Sequence, residues 1–131
     1  MGITVRWFDE SNSTLWYEFV GKWTWDDLYS AISEGIRLSA GVIESVNSII
    51  DMRRSQYVPM LSADHLSKVA TLSLMSCSEA GVLMVGAGHF VQLMFDIFRR
   101  IHPLAAERYR FVETLDDARA AVKGKVLRTE G

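Results

Sequence analysis

With a single cysteine, Cys77, among its 131 residues, this chain has no internal disulfide available to it. A fold held by its own core in a reducing compartment, the cytoplasm, is therefore expected. The sequence does not open on a basic segment followed by an apolar one, so no export leader is expected. An excess of charge of one sign is missing too: 14 Lys+Arg stand against 16 Asp+Glu, a net charge of -2. The basic residues are dispersed except for the pairs Arg53-Arg54 and Arg99-Arg100. That is not the footprint of a nucleic-acid binder. Long uninterrupted apolar runs are also lacking. The strongest, Val82 to Phe98, is broken by Gly86, Gly88, His89, Gln92 and Asp96, and it reads as a buried strand leading into a helix, not as a membrane span.

Hydrophobic residues make up 49% of the chain, enough for one domain with a substantial core, and no Pro/Gly/Ser-rich linker divides them. A single domain over residues 1–122 and a tail over 123–131, where apolar periodicity fades, are expected. Four successive segments repeat an apolar strand and a capped amphipathic helix: Thr14 to Ala40, Val46 to Ser76, Gly81 to Ile101 and Tyr109 to Val122. That repeat length suits parallel strands joined by helical crossovers.

Ahead of the repeats, Ile3 to Phe8 alternates in polarity, and Asp9 to Ser13 offers a polar turn into Thr14 to Val20. An antiparallel hairpin follows. Thr24 suits an N-cap, with Asp26 and Asp27 in the favourable first turn, and Trp25, Leu28, Tyr29, Ile32 and Ile36 share one helical face before a left-handed stop at Gly41. The second repeat has a strand from Val46 to Asp51, then a loop carrying Arg53, Arg54, Ser55, Tyr57 and Pro59, and a helix capped by Ser62. Gly81 to Gly86 has the unbroken apolar character of a strand covered on both faces. Phe90 to Ile101 is apolar except at Gln92, Asp96, Arg99 and Arg100, so most of this helix must be buried or meet a partner. Tyr109 to Val112 and a helix capped by Thr114 complete the pattern. The fold class is thus α/β, a mixed sheet of about five strands with an N-terminal antiparallel hairpin followed by parallel β-α repeats.

That order of elements, the strand ending Ile49-Ile50-Asp51 and the closing run Arg110-Phe111-Val112-Glu113-Thr114-Leu115-Asp116-Asp117-Ala118 resemble a STAS-type domain over residues 3–122. The family includes bacterial anti-sigma-factor antagonists, the cytoplasmic tails of sulfate transporters and small free-standing relatives. The resemblance implies sequentially ordered parallel strands and regulation through protein contacts or a small ligand. The family's switch is an Asp-Ser-Ser-Gly-like motif at the start of the helix after the third strand, where a phosphoserine adds negative charge to an interaction surface. Here that region reads Tyr57-Val58-Pro59-Met60-Leu61-Ser62-Ala63-Asp64-His65, without the motif. Ser62 is the nearest hydroxyl, and its simplest role is to cap the helix.

Ligand sites in open α/β sheets form where strand C-termini meet helix N-termini. The candidates at that edge are Gly86, Gly88 and His89, whose loop offers backbone N–H groups, together with Asp51, Arg53 and Arg54 on the neighbouring strand. The Gly-x-Gly pair lacks the third glycine of a dinucleotide loop and the lysine of a P-loop, and its simplest role is a tight turn. His65, His89 and His102 lie on separate segments without metal-ligand spacing, so neither a metal nor another cofactor is expected. Cys77 has nothing nearby in sequence to activate it. The aromatic residues Trp7, Trp16, Tyr17, Phe19, Trp23 and Trp25 crowd the hairpin and first helix, with Tyr17 and Phe19 on one face of their strand and Trp16 on the other.

These features point to a non-enzymatic regulatory or protein-interaction module, with a protein partner or a homodimer formed through Phe90 to Ile101. The alternative is a small apolar or lipid-like ligand held between that helix and the sheet, with Met84, Met94 and Phe95 as adaptable walls. An enzyme built on Asp51, Arg53 and His89 is a third and lesser possibility.

Overall fold

The computed structural model describes residues 2–8, 14–42, 46–56, 59–60, 62–76 and 81–130. The turn expected over Asp9 to Ser13, together with Tyr57 and Cys77, lies outside the described residues. Among these described residues the strands run β1 (Gly2–Trp7), β2 (Thr14–Gly21), β3 (Asn47–Ser55), β4 (Val82–Val85) and β5 (Tyr109–Val112). The helices are α1 (Trp25–Ser39), α2 (Ala63–Ser76), α3 (His89–Ile101), the single turn α4 (Pro103–Ala106) and α5 (Leu115–Glu130). Strand order in the sheet follows the chain, β1-β2-β3-β4-β5. The β1-β2 pair is antiparallel and all later pairs are parallel, as the sequence predicts.

Sequential order with right-handed crossovers puts successive connecting helices on one face of a sheet. Leu15, Tyr17, Phe19, Met52 and Met84 project from that face and pack with Trp25 and Ala31 of α1 and Val91 of α3. Leu66 and Ala70 of α2 join Phe98, Ala105 and Ala106 in an adjoining cluster. The opposite face supplies Ile49, Leu83 and Val85, which Ala118 and Val122 of α5 cover. The sheet is therefore enclosed on both faces along its middle strands, which is why β4 has no polar residue. At the edge of this cluster, Trp16 packs edge-on to Phe8 with ring centroids 5.8 Å apart, the Arg6 guanidinium lies 4.2 Å from the Trp16 ring, and Arg119 of α5 lies 5.3 Å from the Phe8 ring. Arginine thus shields the aromatic surface of the hairpin.

The expected caps form. Thr24 and Asp27 make a reciprocal capping box, the Ser62 hydroxyl accepts from the His65 amide at 3.2 Å, and Thr114 accepts from the Asp117 amide at 3.0 Å. The end of α1 departs from expectation. Ala40 ends the helix with right-handed backbone angles and donates to the Arg37 carbonyl, so the last turn tightens without a left-handed glycine at Gly41. Helical backbone in α5 continues to Glu130, past the end of the apolar period at Val122.

A larger departure is the length of β3. Arg53, Arg54 and Ser55 are strand residues and not loop, because β2 extends to Gly21 and pairs Val20 with Arg54 and Gly21 with Ser55. From Asp51 to Arg54 strand β3 advances three residues while β2 advances two, from Glu18 to Val20, which marks a bulge.

Candidate functional site

Parallel register brings the expected tips together. Asp51 lies beside Val85, Val85 lies beside Val112, and the Gly86 amide donates to the Val112 carbonyl at 3.2 Å. Asp51 is completely buried, whereas the Arg53 side chain is 41% exposed. The Arg53 guanidinium grips the carboxylate through Nε at 2.9 Å and a second nitrogen at 2.7 Å, the Arg53 amide adds a contact at 3.2 Å, and the Trp16 indole N–H donates at 3.2 Å. Burial pushes the Asp51 carboxyl upward, but the hydrogen bonds from Arg53 and Trp16 outweigh it and hold the group below its ordinary value. A carboxylate held this way is a weak proton acceptor, and its lone pairs are already engaged.

The bulge also explains the pair of arginines. It brings both over the same face, where Arg54 reaches Glu18 at 3.5 Å while Arg6 meets that carboxylate at 3.0 Å. Gly86 has φ +64, and a Cβ there would lie 2.5 Å from Arg53 Cγ. Gly86 thus turns the chain and leaves room for the arginine stem. Gly88 caps α3 without a side-chain bond, and His89 is exposed, with no hydrogen bond to Asp51 or Arg53 among the described residues. The structure therefore brings Asp51, Arg53 and Gly86 into contact, sets Arg54 beside them, and leaves Ser62 as the cap of α2.

The other histidines are separately engaged. His65 stacks on Trp25 with centroids 4.9 Å apart and meets the Tyr29 hydroxyl through Nδ1 at 2.5 Å, while His102 Nε2 lies 3.2 Å from the Ser67 hydroxyl. Burial, then the nearby charges of Asp26 and Asp64, raise the Tyr29 hydroxyl above its usual value, so it remains a neutral partner for His65.

The larger feature lies on the other face of the sheet. A cavity of about 130 Å³ separates the sheet from α1, α2 and α3. Tyr17, Phe19, Ser48, Ile50, Met52, Val82, Met84 and Tyr109 form its floor, and Leu28, Ile32, Leu66, Val69, Val91 and Phe98 contribute from the helices. Met94 and Phe95 of α3 line it, as do Trp23, edge-on to Phe19 at 5.0 Å, and Trp25, edge-on to Trp23 at 5.7 Å. Trp23 donates to the Ser55 hydroxyl at 2.9 Å and Trp25 to the Met60 carbonyl at 2.8 Å, which fixes both rings. Among the described residues, none that lines it is charged. The methionine and phenylalanine walls are legible from the period of α3. Ser48 is not, because a serine inside an apolar strand gives no sign in sequence of what it faces.

No protein-family model matches the chain, and no curated protein matches it in sequence. Among solved structures it is similar to an uncharacterised protein of the DUF3478 family with a SpoIIAA-like fold, from Shewanella loihica PV-4. The match has a TM-score of 0.60 at 18% identity and covers 89% of this chain and 90% of that one. The fold is SpoIIAA-like. This is the STAS-type arrangement, a hairpin followed by parallel β-α repeats, and the likeness extends to architecture alone. Within the SpoIIAA-like frame, Ser62 occupies the start of the helix after the third strand without the serine motif around it. No helix among the described residues is long and apolar enough to cross a membrane.

Proposed function

We propose that this chain is a STAS-type binding module whose occupant is a small apolar molecule seated between α3 and the sheet. The cavity supports this reading. Protein interiors are close-packed, and apolar walls left facing an open pocket forgo the burial that a filled site gains, a cost of about 25 cal/mol per Å². An apolar occupant recovers much of that cost. Met84 and Met94 lend the walls adaptable shapes. By contrast, Asp51 and its arginines form a closed ion-pair cluster that supports the sheet. The neutral dye N-phenyl-1-naphthylamine tests the reading. Wild type is expected to give saturable, blue-shifted emission, and Met94→Trp, which fills the cavity, is expected to weaken binding at least tenfold. A linear, non-saturating response in wild type overturns it.

A second reading, association through the outer face of α3, also has an observation in its favour. Phe90, Leu93, Ile97 and Ile101 are all exposed along one stripe of that helix, and Leu104 of α4 is exposed as well. A stripe of this kind suits a second copy of the chain. Sedimentation at micromolar concentration is expected to show a dimer for wild type and a monomer for Ile97→Glu. A wild type that remains monomeric discards this reading and leaves the cavity untouched.

A further inference from the structure

Resting on the cavity reading above, we infer that the occupant is an uncharged amphiphile, a short apolar chain ending in one hydrogen-bonding group, and that Ser48 is the residue that receives that group. Three observations lead there.

First, the described lining disfavours ionised ligands. Among the described residues it includes no Asp, Glu, Lys, Arg or His. A carboxylate or ammonium entering such a space gives up its hydration and finds no counter-charge, a cost far larger than a single apolar pocket offsets.

Second, the lining is not uniformly apolar. Ser48 is 7% exposed, faces the cavity, and its hydroxyl forms no hydrogen bond among the described residues. Its backbone amide is already used, donating to the Gly81 carbonyl at 3.0 Å. Other polar groups at the wall are committed, with the Trp23 and Trp25 indole N–H groups bonded to Ser55 and Met60. The Ser48 hydroxyl is open to the cavity, and a ligand oxygen that both donates and accepts can bond it there. With Ser48 as the small polar side chain in a described lining otherwise built from aliphatic, methionine and aromatic side chains, the ligand needs one polar end and a long apolar remainder.

Third, the shape sets the length. Ser48, Ile50 and Met52 lie along one face of β3, and all three line the cavity. The four residue steps from Ser48 to Met52 span about 13 Å, which suits a chain of roughly eight carbons with its oxygen at Ser48 and its tail toward Trp23 and Trp25.

The test compares 1-octanol with octanoate at pH 8, where the carboxylate is fully ionised, using the emission of the cavity tryptophans and isothermal calorimetry. Octanol is expected to bind wild type at least tenfold more tightly than octanoate. Ser48→Ala is expected to weaken octanol about fivefold, the worth of one neutral hydrogen bond of about 1 kcal/mol. Equal affinity for octanoate overturns the uncharged-ligand inference while the cavity reading stands. Undiminished octanol binding by folded Ser48→Ala overturns the role of Ser48 alone. Should that variant not fold, the two probes in wild type still decide the ligand's charge. If neither probe binds, both this inference and the reading beneath it fail.

Discussion

At the scale of single residues, Asp51 illustrates how position converts a surface-type side chain into a structural one. It sits at zero exposure in the middle strand, with Arg53 supplying both charge and hydrogen bonds. Replacing it by Asn removes the charge and the bidentate grip but retains an acceptor for Trp16. A loss of about 2 kcal/mol is expected in urea unfolding at pH 7. The pH dependence has a definite sign. Because the folded-state carboxyl lies below its ordinary value, its contribution is fully present above the unfolded value near 4 and is lost as pH falls through the folded one. Wild type is therefore expected to lose stability faster than Asp51→Asn below about pH 4. Parallel acid-unfolding curves for the two proteins would show that the pair contributes nothing.

At the scale of elements, the approach of α1 to the sheet depends on Gly35. A Cβ at that position would lie 1.9 Å from the Tyr17 hydroxyl and 2.9 Å from the ring carbon that carries it. Gly→Ala normally favours a helix by up to about 1 kcal/mol, yet here the new methyl collides with a buried side chain. Gly35→Ala is expected to destabilise the domain by 1 kcal/mol or more, on the order of an overpacked core site. In a double-mutant cycle measured by denaturant unfolding, Tyr17→Phe is expected to cost less in the Gly35→Ala background than in wild type. Strict additivity would place the clash elsewhere.

Element by element, legibility followed the strength of the local signal. Thr24, Ser62 and Thr114 announce helix starts because an N-cap acts on its own next few residues. The extension of β3 through Arg53-Arg54-Ser55 is silent in sequence, since those residues have no strand preference and are held there by pairing with β2. The same holds for the partnership of Trp16 with Asp51, 35 positions apart. Gly41 misled because the last turn of α1 closes by a shorter bond and has no need of glycine's freedom.

At the scale of the whole molecule, the repeating strand-helix pattern specified the layers, and the parallel register then placed Asp51, Val85 and Val112 in a row. What the pattern does not contain is the space between layers. A cavity is a property of three helices and a sheet together, which no window of sequence spans, although Met84, Met94 and Phe95 are suggestive once α3 is set over β4. An occupant that binds only the folded state adds to stability by mass action, about 2.7 kcal/mol at a concentration one hundred times its dissociation constant. Raising 1-octanol is accordingly expected to raise the melting temperature of wild type progressively and that of Met94→Trp very little, as followed by circular dichroism.

The sheet's strand order carries a kinetic consequence. Since every strand joins the one just before it in the chain, each pairing closes only a hairpin or a single crossover and no strand must wait for a distant segment to arrive. Assembly can proceed by accretion, like a zipper starting from the hairpin, which places this chain on the fast side of parallel-sheet proteins and shortens the time its apolar edges stand open to neighbouring molecules.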